Sequence, residues 1–124
     1  MNIQSAIIEG TNILKNKYIQ TAQLDTEIIM SEILGVDRKY IILNNNKDLN
    51  NKNLRYFKKL IKERSTRKPI AYLINKKFFW KNEFFVTNDT LIPRPDTELV
   101  IEQILKLTKH KNKMSILDIG VGSG

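Results

Sequence analysis

Ile116-Leu117-Asp118-Ile119-Gly120-Val121-Gly122-Ser123-Gly124 is a short apolar run that breaks into three alternating glycines. Such a run predicts a buried strand of a parallel sheet, followed by a turn where backbone can approach a ligand because no side chain stands in the way. The Gly-x-Gly-x-Gly spacing does not complete the dinucleotide fingerprint, and taken alone it reads equally well as a surface turn. A parallel strand needs neighbours, and this one would leave its edges unpaired. The chain therefore reads as the N-terminal fragment of a larger protein.

Working back from the glycines, Lys109-His110-Lys111-Asn112-Lys113 is a hydrophilic connector in which the lone histidine has no assigned role. Before it, Val100, Ile104 and Leu107 recur at helical spacing and predict a helix from Asp96 to about Lys109. Asp96, Thr97 and Glu98 occupy its first turn, where acidic groups suit the positive end of the helix dipole. Ile92-Pro93-Arg94-Pro95 precedes it. The two prolines fix backbone on either side of Arg94 and push Ile92 and Arg94 toward extended conformations, so the arginine is presented on a stiff support. From chemistry alone this is as readily a rigid linker with ordinary helix-starting acids.

Phe78-Phe79-Trp80 and Phe84-Phe85-Val86, separated by Lys81-Asn82-Glu83, predict a β-hairpin that packs between two domains. The residues upstream are helical in pattern. Ile3, Ala6, Ile7, Ile13 and Leu14 mark a first helix with Gly10 as a soft point, and Thr21 to Leu34 a second, largely buried one stopped by Gly35. Asp37 caps a short helix, Arg38 to Leu43, anchored by Tyr40, Ile41 and Leu43. Asn50 or Asn51 caps a fourth reaching Ser65 with the stripe Leu54, Phe57, Leu60 and Ile61. Pro69 opens a last short helix to Ile74, and Asn75 takes a left-handed cap.

The net charge of the 124 residues is +8, and its distribution is uneven. Residues 37–82 hold fourteen Lys/Arg against three Asp/Glu, whereas residues 1–36 carry −2 and residues 83–124 carry −1. Such a block attracts RNA or an acidic protein surface, or simply keeps a helix face wet. There is no cysteine, hence no disulfide framework and no thiolate metal site, which fits a reducing cytoplasm. No metal is expected. No apolar run approaches a membrane span, so no membrane association is expected either.

Ile92-Pro93-Arg94-Pro95-Asp96-Thr97-Glu98 followed by Leu117-Asp118-Ile119-Gly120-Val121-Gly122-Ser123-Gly124 resembles the protein-(glutamine-N5) methyltransferases that modify peptide chain release factors. Leu24-Asp25-Thr26-Glu27-Ile28-Ile29 is similar to that family's second-helix signature, and Pro69-Ile70-Ala71-Tyr72-Leu73 with the aromatic hairpin is similar to its domain junction. Asn75 departs from the glycine often found after that Tyr-Leu pair, although asparagine tolerates the same backbone.

The resemblance implies an α+β fragment. Residues 1–75 would form a helical bundle that docks the substrate protein, residues 76–95 a β-hairpin and proline-rich joint, and residues 96–124 the first helix and strand of a Rossmann-like class I methyltransferase domain. It implies a cytoplasmic protein that transfers a methyl group from S-adenosyl-L-methionine to the glutamine amide of a Gly-Gly-Gln motif in a release factor. The cofactor would meet Asp118, Gly120, Val121, Gly122, Ser123 and Gly124, with Asp118 ordering the turn or meeting the cofactor's amino group. Arg94, Thr97 and Glu98 would lie over the pocket entrance. The Asn-Pro-Pro-Tyr motif that orients the amide is absent, so no catalytic residue is expected in these 124 residues. Two other readings stand beside this one: a basic helical module that touches RNA weakly through Lys52–Lys68, and a methyltransferase acting on a nucleic-acid base amine.

Overall fold

The side-chain oxygen of Asn2 accepts a hydrogen bond from the backbone N–H of Ser5 at 2.8 Å and so opens α1 (Ile3–Lys15). Two more of this helix's free amides find partners in a loop far along the chain. Ile3 N–H donates to the Lys47 carbonyl and Gln4 N–H to that of Asn45, each at 2.9 Å. The N-terminus is thereby tied down, since an unpaired helix end is costly once it leaves water. This computed structural model describes residues 1–122, in two compact units: Met1–Ile74, and a second that begins at Asn75.

The first unit is all helical. After α1 come α2 (Ala22–Leu34), α3 (Arg38–Leu43), α4 (Asn51–Ser65) and α5 (Ile70–Ile74). Its caps follow the residue chemistry closely. Asp37 accepts from Tyr40 N–H at 2.7 Å, Asn50 accepts from Asn53 N–H at 2.7 Å, and Gly35 ends α2 in the left-handed region at φ 65°. The core is built from Ile3, Ala6 and Leu14 of α1, Ile29 and Met30 of α2, Ile41 of α3, and Phe57, Leu60 and Ile61 of α4, closed by Leu73.

Three expectations about this unit need correction. Gly10 is no soft point: it is buried where α1, α2 and α4 meet. Tyr40 and Leu43 do not anchor α3; both are exposed, and Ile41 alone is buried, because so short a helix turns only one residue fully inward. In α2, Leu24 is exposed while Asp25, Thr26 and Glu27 are buried. Charged partners from elsewhere in the bundle make that inversion possible.

The second unit holds β1 (Lys76–Phe79), β2 (Asn82–Phe85) and α6 (Thr97–Thr108). The strands pair antiparallel with Lys76 opposite Phe85 and Phe79 opposite Asn82. The turn is therefore Trp80-Lys81, one residue earlier and shorter than the aromatic pattern implied, and Trp80 leaves the ladder at φ 56°. Phe79 and Phe84 meet edge to face with centroids 6.2 Å apart. On α6 the apolar positions Val100, Ile104 and Leu107 are all exposed. Residues 116–119, expected as a strand, have no regular secondary structure, and Ile116, Leu117 and Ile119 are exposed. A parallel strand exists only through hydrogen bonds to neighbours, and among the described residues no segment pairs with this one.

Candidate functional site

Pro93-Arg94-Pro95 runs directly into α6. The Arg94 carbonyl accepts from Thr97 N–H at 3.1 Å and the Pro95 carbonyl from Glu98 N–H at 3.0 Å, so the joint forms a turn that leads into the helix. Arg94 is exposed, as is Thr97, and neither side chain has a partner among the described residues. Asp96 stands at the N-cap but makes no capping bond.

Glu98 is different. Its Oε1 accepts from the backbone N–H of Trp80 at 2.7 Å, tying the first turn of α6 to the tip of the hairpin. Trp80 can donate because it lies in the turn, beyond the last paired residues Phe79 and Asn82. Of the three residues expected at a pocket entrance, then, one is engaged in holding its own unit together and two are free. This tie had no signature in the sequence, since one partner is a backbone group released by a turn.

The mouth of the hairpin is closed by a reciprocal pair. Asn75 adopts φ 56°, its carbonyl accepts from Val86 N–H at 3.2 Å, and its side-chain amide donates to the Val86 carbonyl at 3.1 Å. Glycine would supply the backbone conformation without the second bond, which explains why asparagine serves here. Replacing Asn75 with valine combines a β-branched residue at positive φ with a lost hydrogen bond, and should destabilise the second unit by about 2 kcal/mol. Amide hydrogen exchange at Val86 and Phe85 measures it; unchanged protection in Asn75→Val would contradict this role.

In the glycine turn, Gly120 and Gly122 both sit at positive φ, 80° and 65°, with nothing within 4 Å of where a Cβ would stand. Asp118 and Val121 are exposed, and the Asp118 carboxylate has no partner among the described residues. Ser123 and Gly124 lie outside the described residues. The backbone at these two glycines is thus open to close approach from outside. No cluster of metal-ligating side chains occurs among the described residues, and no helix there is long and apolar enough to cross a membrane.

In the first unit the conspicuous polar groups are two buried carboxylates. Asp25 Oδ2 receives Arg64 Nε at 2.8 Å and the Thr21 hydroxyl at 2.9 Å; Glu27 receives Arg38 Nε at 3.0 Å and the Gln23 amide at 3.0 Å. Asp25 thereby joins α2 to α4, and Glu27 joins α2 to Arg38 of α3. Each is paired with an arginine of another helix, which marks them as structural ion pairs.

Comparison with known proteins adds a family. Residues 5–74 match the model described as "PrmC N-terminal domain". Similar curated proteins include the release factor glutamine methyltransferases of Buchnera aphidicola subsp. Schizaphis graminum, 42% identical over 112 residues, and of Buchnera aphidicola subsp. Acyrthosiphon pisum, 38% identical over 124 residues. That of Leptospira interrogans is 35% identical over 124 residues. The alignments cover 90–100% of this chain, which spans only 40–44% of the length of these relatives.

Proposed function

The chain belongs to the PrmC N-terminal domain family, and on that premise we propose that it is the front part of a release factor glutamine methyltransferase. The observation that carries this reading is the match over residues 5–74, together with relatives bearing that name aligned across the hairpin, the Pro93-Arg94-Pro95 joint and beyond. The substrate would be the glutamine of a Gly-Gly-Gln motif in a peptide chain release factor, in the cytoplasm where that factor works.

The division of labour follows from the two units. Residues 1–74, a bundle with a well-filled core, serve as a rigid docking body for the release factor. The second unit carries the start of a Rossmann-like cofactor domain. S-adenosyl-L-methionine would supply an electrophilic methyl group there. Gly120 and Gly122 would let the backbone pass close to it, continued by Ser123 and Gly124; Val121 would line the turn and Asp118 would order it or meet the cofactor's amino group. An amide nitrogen is a poor nucleophile, so most of the rate has to come from positioning, and the residues that position the amide belong to the part of such an enzyme that follows these segments. The exposed Val100, Ile104 and Leu107 on α6 accord with a helix that expects more sheet beside it.

The test joins this chain at Gly124 to the corresponding remainder of the Buchnera aphidicola subsp. Acyrthosiphon pisum relative, which aligns with all 124 residues. The chimera should methylate the glutamine of a release factor, read by mass spectrometry of the Gly-Gly-Gln peptide, whereas the 124 residues alone should neither transfer a methyl group nor bind the cofactor at low micromolar concentration. Removing residues 1–74 from the chimera should lower kcat/KM for the whole release factor by about tenfold or more, equivalent to about 1.4 kcal/mol of docking, and leave that for a short Gly-Gly-Gln peptide unchanged. Methylation of a nucleic-acid base in place of glutamine would overturn the proposal.

A further inference from the structure

The positive excess of residues 37–82 is not spread evenly once the chain is folded. Lys58 is paired with Glu9 at 3.0 Å, Lys68 with Glu63 at 3.1 Å, and Arg64 and Arg38 with the buried carboxylates. Subtracting these leaves a pattern that the sequence did not display. Lys52, Lys59 and Lys62 have no side-chain partner among the described residues, and Arg55 makes only a 3.4 Å bond to the Asn51 carbonyl of its own helix. Their spacing of i, i+3, i+7 and i+10 places all four on one face of α4, along about 15 Å of helix. Tyr56 lies beside them, half exposed at 49%, and Lys52, Arg55, Tyr56 and Lys59 together line a shallow groove.

We propose that this face of α4 is a contact surface for single-stranded RNA, with Lys52, Arg55, Lys59 and Lys62 on successive phosphates and the Tyr56 ring offered to a base. Three features favour that partner. The free cations form an uninterrupted row about a helical turn apart, suited to a repeating anion. The only ring in the row is a half-exposed aromatic, the group on which bases stack. The groove is lined by cations and one tyrosine, without the apolar anchors that the centre of a protein interface requires. Nothing in the inference depends on methyl transfer, and it would hold if the enzymatic reading failed.

Four phosphate contacts set the expected size of the effect. For a single strand the logarithm of affinity should fall with the logarithm of salt at a slope of about −2.8, so that binding weakens about 50-fold between 50 and 200 mM salt. The measurement is fluorescence anisotropy of a labelled oligouridine titrated with the 124-residue chain. Replacing Lys52, Arg55, Lys59 and Lys62 together by glutamine should abolish binding at 50 mM salt. Replacing Lys17, Lys39, Lys109 and Lys111 by glutamine removes the same charge elsewhere and should weaken binding no more than about threefold. Tyr56→Leu should weaken binding about tenfold while leaving the salt slope unchanged. Circular dichroism should report the same melting temperature for all variants, since the side chains are exposed. Equal losses from the two glutamine sets would reduce the effect to net charge and overturn the proposal. So would absence of binding at 20 mM salt, or equally tight binding of an oligo-glutamate peptide, which would mark the face as one for acidic protein.

Discussion

Arg64→Met should destabilise the helical unit by about 3–5 kcal/mol, a large fraction of the 5–15 kcal/mol typical of a domain. The methionine keeps the stem's packing and deletes the guanidinium. What remains is the Asp25 carboxylate, whose side chain is only 5% exposed, with the Thr21 hydroxyl as its one donor. An anion held out of water with one hydrogen bond costs far more than the ion pair contributed, and this asymmetry sets the size of the effect. Arg64 also donates to the Lys68 carbonyl at 3.1 Å, so the variant loosens the turn between α4 and α5 as well. Urea unfolding of single and double variants tests the cause. Asp25→Leu combined with Arg64→Met should be about 2 kcal/mol more stable than the sum of the single losses, because it removes the stranded charge. A cost below about 1 kcal/mol for Arg64→Met would mean that water screens the pair as it does a surface bridge.

This pair also shows what a sequence can and cannot tell about a motif. Leu24-Asp25-Thr26-Glu27 stands out by resemblance to a family, and charged residues in a signature invite a chemical role. The structure instead puts both acids inside and the leucine outside. The acids are inside because Arg64 and Arg38, 39 and 11 residues away, arrive beside them. No periodicity argument could assign those partners, since helical spacing relates residues on one helix and not across a bundle.

Elsewhere legibility followed the range of the interaction. Asp37 and Gly35 were readable as caps, and Asn50 as one of two candidates, because a cap is a bond between a side chain and amides two or three residues away, or a backbone angle that one residue supplies. The apolar stripe of α4 was readable because its period is a property of the helix itself. The hairpin was readable in outline but not in register. Aromatic runs show where strands lie, whereas the turn depends on which residue takes positive φ, and Trp80 is an unusual choice for that position. The strand expected at Ile116–Ile119 depends wholly on neighbours, and the described residues contain none for it. The glycine turn was legible as a backbone device, with Gly120 and Gly122 both left-handed, while what it would hold came only from resemblance.

Gly10 is where local and tertiary preferences oppose each other most directly, and the tertiary term should win. In the interior of α1 an alanine would ordinarily stabilise by about 1 kcal/mol through backbone entropy. Here a Cβ would stand 3.0 Å from Phe57 Cζ, 3.0 Å from Thr26 Cγ2 and 3.2 Å from Ile61 Cδ1. None of these can retreat cheaply: Phe57, Thr26 and Ile61 are each at most 2% exposed and belong to two other helices, so relief requires α1 to move away from both. Overpacking of that kind costs about 1–3 kcal/mol, which leaves Gly10→Ala destabilised by about 1 kcal/mol after the helical gain. Gly10→Val adds two methyl groups beyond that Cβ at the same crossing and should cost about 3 kcal/mol. The ordering of glycine above alanine above valine, measured by thermal unfolding, is the reverse of the glycine-to-alanine order on an exposed helix. A Gly10→Ala variant more stable than the parent would show that the three helices separate more easily than their packing implies.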